Sequence, residues 1–354
     1  MKASVLHRNR HVALPALLIA LLMVLTACSS TPEPGSSASG SGSGDAAKPA
    51  SSGVPAGEGS TTYPLTLKTW AGSSELKKRP ERVAVFGFSP NLDALEALNF
   101  KPVYTITEEV KYPWRDQAWM KSIETVDTRT RRDPINFEGI KAAKPDLIIA
   151  PNALQSADEY KRLASIAPVL DNPTQVPGED IDWRETQRMI GKAVDLPKAA
   201  NAAITKADKA TADVAKKHPE VKGKTITIAT EYTGQIEYYT IAGSTTEELM
   251  VDMGFKPNPL AKEFVKDDTV SNENVGKLDG DVLMMFYVDP AAKAKRDKTP
   301  LFKALDPVKE KHYIGRTSEQ PGAEVTWVLR RGASATSLPW ATKTMGDWFG
   351  DLKL

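Results

Sequence analysis

Three arginines fall within four residues, Arg129-Thr130-Arg131-Arg132, and Asp133 follows at once. Guanidinium groups offer rigid, forked donors to the oxygens of an anionic ligand. The same run also reads as a solvated charge cluster partly neutralised by Asp127 and Asp133. Two glutamates stand out for another reason, because they hold matching places in two similar stretches. Asn136-Phe137-Glu138-Gly139-Ile140 leads to Asp146-Leu147-Ile148-Ile149, and Ser271-Asn272-Glu273-Asn274-Val275 leads to Asp281-Val282-Leu283-Met284. Glu and Asp are 8 apart in both copies. Acids on duplicated helices can present one charge each to a two-part partner. Alternatively, each only favours its own helix N-terminus through the dipole.

The aromatic candidates are scattered. Trp114 lies with Tyr112 and Arg115 in a polar loop, where a large ring has little core to join. Tyr232 follows the first strand of the second half. Tyr238, Tyr239, Trp327 and Arg330 are further wall candidates, since Trp and Tyr suit flat, partly polar ligands and Arg adds cation–π or ionic contacts. Core packing is the competing reading for each aromatic. Asn152 ends an apolar strand and faces either a ligand or a turn.

Other chemistries find little support. A metal site built from the chain needs clustered His, Cys or carboxylates. His7 and His11 lie in the N-terminal leader, His218 and His312 are isolated, and Cys28 is the only cysteine. A tyrosine ligand to haem, Tyr232 or Tyr238, stays open. Ser74-Glu75-Leu76-Lys77 matches Ser-x-x-Lys, but no Ser-Asp-Asn or Lys-Thr-Gly follows it. There is no Gly-x-Ser-x-Gly and no phosphate-cradling glycine loop. The chain is expected not to be an enzyme and to carry no cofactor.

The elements that must position these residues alternate in type. Arg82–Phe86 reads as a strand, and Ser89-Pro90 as cap and first residue of a helix with Leu92, Leu95 and Leu98 on one face. Val103–Ile106 is the next strand. Asp133-Pro134 opens a second helix by the same logic, with Phe137, Ile140 and Ala143 as its apolar face. Asp146–Ala150 is a continuous apolar strand, as in a parallel sheet covered on both faces. A helix over Ser156–Ser165 and a strand over Pro168–Leu170 follow. The second half repeats the plan: strand Thr225–Ala229, helix Thr245–Met253 closed by Gly254, helix Ser271–Leu278, strand Asp281–Tyr287. Strands alternating with helices predict two Rossmann-like α/β lobes with parallel sheets. Between them, residues 183–217 have helical period, with Ile204, Ala207, Thr211 and Val214 on one stripe and a break at Leu196-Pro197. Such a connector is stiffer than a Gly/Ser linker.

The N-terminal stretch reads as targeting. Lys2, Arg8 and Arg10 precede an apolar run over Val12–Val24, which ends in Leu25-Thr26-Ala27-Cys28. This tetrapeptide resembles the bacterial lipobox, so residues 1–27 are expected to be removed and Cys28 to carry lipid; an ordinary secretory signal is the alternative. Residues 28–61 are dominated by Ser, Gly, Ala and Pro and read as a flexible tether. Residues 62–182 form the expected first lobe, 183–217 the connector and 218–354 the second lobe. The chain has 46 basic and 45 acidic residues. Without the leader's three basic residues it is slightly acidic, which argues against a nucleic-acid binder and gives no electrostatic reason to lie flat on lipid.

The ordered set resembles a known family. The lipobox, the tether, the turn at 82–91, PINFEGIKAAKPDLIIAPN, IDWRETQRMIGKAV and VSNENVGKLDGDVL together look like the iron-siderophore and cobalamin binding proteins of ABC importers, over about Tyr63 to Leu354. The resemblance implies a ligand cleft between two lobes joined by a rigid helix, a ferric siderophore as ligand with its iron held by the chelator, and small lobe movements. Haem or cobalamin is the alternative ligand, and a non-transport surface lipoprotein the alternative role. It implies that Glu138 and Glu273 dock on the two transmembrane subunits of the importer. Arg132 keeps the spacing of a ligand arginine, six residues before Glu138, and Tyr232 takes a cleft-facing position. The protein would be a monomer, lipid-anchored on the outer face of a cell membrane, with no nucleic-acid partner.

Overall fold

A computed structural model describes residues 53–108, 111–175 and 181–354. The leader, Cys28 and most of the expected tether fall outside the described residues. The described residues form one compact unit. Its chain opens with an antiparallel hairpin of β1 (Leu65–Thr69) and β2 (Gly72–Leu76). The first lobe is built on β3 (Val83–Val85), β4 (Tyr104–Ile106), β5 (Thr125–Asp127), β6 (Leu147–Ile149) and β7 (Val169–Leu170). All are parallel, in the order β5-β4-β3-β6-β7. The second lobe holds β8 (Ile226–Tyr232), β9 (Gln235–Tyr238), β10 (Thr269–Val270), β11 (Val282–Tyr287) and β12 (Tyr313–Thr317), in the order β10-β9-β8-β11-β12. β3, β6 and β11 are buried along their whole length, which explains their unbroken apolar runs.

The second sheet corrects the expectation of two parallel sheets. β8, β11 and β12 are parallel, but β9 runs antiparallel to β8 and β10 antiparallel to β9. The cause is a two-residue turn at Thr233-Gly234. Both residues have positive φ, 51° and 83°, the geometry that lets two twisted strands join directly.

Two helix starts also differ from the sequence reading. The helix Ser89–Ala97 has Phe88 at its cap position, without a side-chain hydrogen bond, and Ser89 is already helical. Asp133 opens no helix; its carboxylate accepts from the Thr130 backbone N–H (2.7 Å) and hydroxyl (3.0 Å) and closes a turn. The helix begins at Phe137, capped by Asn136, whose side-chain oxygen accepts from Gly139 N–H at 3.0 Å.

The duplicated sequence corresponds to a duplicated device. Before β6, the Asp146 carboxylate accepts from the backbone N–H groups of Glu81 and Arg82, both at 2.9 Å. Before β11, the Asp281 carboxylate accepts from the Thr225 N–H (2.7 Å) and hydroxyl (2.9 Å). In each lobe the aspartate heading one central strand fastens the start of its neighbour. Its register is therefore fixed where burial would not choose it.

The connector is two helices, Trp183–Ala193 and Pro197–Lys217, meeting at Asp195 in the left-handed region (φ 57°). The longer helix gives Ala200 to a first-lobe core cluster and Ile204 and Ala207 to the second-lobe core. One rigid rod is thus cemented into both lobes.

The described chain departs from the expected tether boundary. Residues 58–61 are bound to this helix junction. The Asp195 carboxylate accepts the N–H groups of Gly59 (2.8 Å), Ser60 (2.9 Å) and Thr61 (2.8 Å). The Glu58 carboxylate accepts those of Lys198 (2.7 Å) and Ala199 (2.8 Å). Leu196 caps the longer helix without a side-chain bond, so Glu58 satisfies its otherwise open first-turn donors from outside. Burial opposes ionisation of Asp195, but the three N–H donors outweigh it and hold the carboxyl below its usual range. Asp195→Ala should therefore cost about 2–3 kcal/mol through lost charge-assisted bonds. Thermal unfolding should show a melting temperature roughly 5 °C lower, and limited proteolysis faster cleavage around residues 55–61. Because the folded carboxyl is the stronger acid, this stabilisation is present above about pH 4 and fades as the pH falls further. A variant that unfolds like the parent would remove the brace.

Candidate functional site

In sheets of this order the crevice lies beyond the carboxyl ends of the strands, where the chain changes direction. The carboxyl ends of β3, β4, β8, β11 and β12 together border a cleft of about 710 Å³ between the lobes. Its first-lobe wall begins at the turn after β3. Gly87 adopts φ +102°, and a Cβ there would come within 2.6 Å of the Ala153 Cβ, so the turn can sit this close only as glycine. The buried Asn91 amide donates to the Phe86 and Pro151 carbonyls, both at 3.0 Å, and locks the turn after β3 to the turn after β6. Phe86 and Phe88 thereby face the cleft.

The second-lobe wall is a tight helical passage. The short helix Val325–Trp327 runs into a wider turn at Val328–Gly332, a form common at functional sites. This passage brings Trp327, Arg330 and Arg331 to the cleft. The Arg131 guanidinium lies 5.0 Å from the Phe88 ring centre and that of Arg331 lies 5.8 Å from it, so cations from both lobes converge on one aromatic. Arg316, at the end of β12, stacks on Trp348 at 4.6 Å and also lines the cleft. Arg330 pairs with Glu237 and, at 3.4 Å, with Asp268.

Arg131, Arg132, Arg316, Arg330 and Arg331 line the cleft against Glu108, Glu237 and Glu324, an excess of two cations. Two of those acids have named partners, one inside the cleft and one behind it. Glu237 holds Arg330, and Glu108 holds Arg115 at 2.8 Å. Arg115 is fully buried at the lobe junction and also pairs with Asp93 and, at 3.3 Å, with Glu96. Asp93 accepts from the second lobe's Ser334 hydroxyl at 2.5 Å and from the Trp114 indole at 3.2 Å. Burial pushes the Glu96 and Glu108 carboxyls up to about 7 against the pull of Arg115, and raises Asp93 as well.

A second cavity of about 470 Å³ adjoins the cleft and is lined only by first-lobe residues between Phe86 and Glu159. Arg131 and Arg132 line both spaces, whereas Arg129 and Asn152 line only the second. All three arginines expected from the sequence therefore border one or the other. Tyr232 lies 63% exposed at the cleft's edge, and Trp327 and Arg330 line it.

Trp114 and Tyr238 are outside the cleft lining. Trp114 stacks behind Tyr112 at 4.6 Å, tilts against Trp340 at 5.2 Å and belongs to the lobe junction; Tyr112 is the ring that faces the cleft. Tyr238 is fully buried and stacks on Phe264 at 4.1 Å, which removes it as a haem ligand. The next residue, Tyr239, lines the cleft, because successive strand residues face opposite sides. Sequence reasoning missed Phe86, Phe88, Arg316 and Arg331. The position just after a strand's carboxyl end was a usable signal for Phe86 and Phe88, which follow β3.

Glu138 and Glu273 line neither cavity and are exposed in the first turn of their helices. Each helix start is tied to a strand end. Asn136 donates to Asp127 at the end of β5. Asn272 accepts from Arg296 at 2.9 Å, and Arg296 forks onto buried Glu231 at the end of β8 at 2.8 and 3.1 Å. Among the described residues no group of three or more His, Cys, Asp or Glu could hold a metal ion, and no helix is long and apolar enough to cross a membrane.

Two lobes fixed on one rod, with a preformed aromatic and cationic cleft between them, make a two-lobed solute-binding protein. Residues 85–317 match the family described as "Periplasmic binding protein", and the chain belongs to that family. It is a binding protein, not an enzyme. It is 27% identical over 289 residues to the "Probable siderophore-binding lipoprotein YfiY" of Bacillus subtilis (strain 168), covering 78% of this chain and 79% of that one. PiaA of Streptococcus pneumoniae TIGR4, solved in complex with ferrichrome, superposes with a TM-score of 0.66 at 23% identity, over 81% of this chain and 98% of that one. SirA of Staphylococcus aureus, solved with staphyloferrin B, gives 0.62 at 22% identity over 81% and 97%.

Proposed function

We propose that this protein is the substrate-binding lipoprotein of an ABC importer, and that it captures a ferric siderophore outside the membrane and hands it to the permease. The observation that carries the reading is the cleft itself. Guanidinium groups from both lobes meet over an aromatic ring, with a net excess of cations. Such a wall suits an anionic chelate whose iron is already wrapped by the ligand's own oxygens, so on this reading the protein supplies no metal ligand and needs no cofactor. The names of the relatives agree: one is called a probable siderophore-binding lipoprotein, and the PiaA and SirA structures hold ferrichrome and staphyloferrin B. Cys28 would carry the lipid, with the residues after it as tether. Glu138 and Glu273 would each pair with a basic side chain of the permease.

The test is quenching of tryptophan fluorescence in the detergent-solubilised full chain, titrated with ferric hydroxamate, ferric catecholate, ferric citrate, haem and cobalamin. Trp327 in the cleft wall is the expected reporter. Sub-micromolar quenching by one ferric chelate is expected, weakened about tenfold in Arg132→Ala, the equivalent of about 1.4 kcal/mol. Tight binding of haem or cobalamin alone would overturn the ligand assignment. No binding of any of the five would overturn the proposed function.

A further inference from the structure

The second cavity is not explained by holding an iron centre between two lobes. Its lining runs from Phe86 to Glu159 and comes from the first lobe alone, so lobe closure would neither make it nor abolish it. It is about two-thirds as large as the main cleft. The two spaces share Arg131 and Arg132, so a ligand seated against those arginines has the second cavity directly beyond them. The lining adds Arg129, which does not line the main cleft and pairs with Asp127 at 3.9 Å, and the polar side chains of Asn152 and Gln155. Three arginines face two acids at its border, and each acid is held in place by local donors. Asp133 accepts twice from Thr130, and Glu159 accepts from the Gln155 N–H at 2.6 Å. An apolar floor of Phe86, Tyr104 and Ile140 under a rim of guanidinium groups fits a carbon chain ending in an anion.

We infer that this cavity is a subsite for an anionic side arm of the ligand, one that projects from the chelate outside its iron-binding groups. The inference rests on the ferric-chelate reading of the main cleft and narrows it. The ligand is a chelate with an acidic extension, not a compact symmetrical one.

The test separates the arm from the iron core. Three ferric cores (hydroxamate, catecholate and citrate-type) are each prepared bare, with a glutaryl arm, and with an uncharged glutaramide arm of equal length. Their affinities for the detergent-solubilised full chain are measured by fluorescence quenching and calorimetry. For the core that binds, the glutaryl form should bind at least tenfold tighter than the bare form, with the glutaramide form between them. Gln155→Trp fills the cavity from an exposed position, and its backbone bond to Glu159 does not depend on the side chain. It should abolish the gain and leave the bare core's affinity within twofold. Arg129→Gln should remove the advantage of glutaryl over glutaramide. Equal affinity of bare and armed forms, or a gain that survives Gln155→Trp, would overturn the subsite while leaving the chelate reading intact. Failure of every core in every form would overturn both.

Discussion

Replacing Arg115 with methionine should lower the melting temperature by about 6–10 °C at pH 8 and by clearly less at pH 5.5. Arg115 faces three carboxylates, those of Asp93, Glu96 and Glu108, and its side chain is wholly buried. Breaking a buried charge network by removing one partner costs about 3–5 kcal/mol, because the other partners stay behind uncompensated. For a body of this size that is about 2 °C per kcal/mol. The pH dependence follows from direction. Burial raises the folded-state carboxyls of Glu96 and Glu108 to about 7, above their ordinary range. A raised carboxyl stabilises the fold while it is protonated, and that contribution is lost as the pH climbs through about 7. At pH 5.5 the network carries little excess negative charge and tolerates the loss of its arginine. At pH 8 Glu96 and Glu108 are ionised, and it does not. Comparing parent and variant at both values cancels groups elsewhere, such as Asp195, that titrate alike in the two proteins. An equal drop at both pH values would show that the arginine acts by packing alone. The cluster spans the lobe junction through Asp93 and Ser334, so near-ultraviolet circular dichroism of the tryptophans there should change with it.

How much of this was legible in the chain depends on what kind of physics fixed each feature. Burial was readable. The runs at 146–150 and 281–287 are apolar throughout because both faces of β6 and β11 are covered. The paired Asp146 and Asp281 were visible as a spacing, and the structure gives that spacing a cause in strand fastening. The break at Leu196-Pro197 was also readable, since proline restricts the residue before it. Features decided by a one-residue choice were not. Ser89 is a better cap by type than Phe88, yet the turn at Gly87 sets where the helix begins. Tyr238 and Tyr239 are adjacent and chemically equal, and only the hairpin register sends one to the core and the other to the cleft. Trp114 sits in a polar loop, but that loop folds onto the lobe junction, a long-range contact that local sequence does not encode. Arg316 lies in a strand, Tyr313–Thr317, with too few apolar residues to announce itself.

The largest functional effect should come from two residues that touch no ligand. In the double variant Glu138→Ala, Glu273→Ala, affinity for the ferric chelate should stay within twofold of the parent, and chelate uptake should fall below about a tenth. Both side chains are exposed, and neither lines either cavity. An ion pair formed in a desolvated interface is worth about 1.5–3 kcal/mol, so one lost pair weakens docking about tenfold to a hundredfold and two compound the loss. Each single variant should therefore lie between parent and double variant. The competing account gives these glutamates only a helix-terminal role. Both occupy first turns, where a negative charge is worth about 0.3–1 kcal/mol. On that account the double variant would melt a few degrees lower and still transport. The two readings thus differ in which measurement moves. If radioactive-iron uptake from the bound chelate survives the double substitution while the melting temperature drops, the glutamates serve their helices and the docking surface lies elsewhere. If uptake is lost at unchanged melting temperature and ligand affinity, the charges act on the permease. Restoring one glutamate should then recover part of the transport, because each lobe would meet its own subunit.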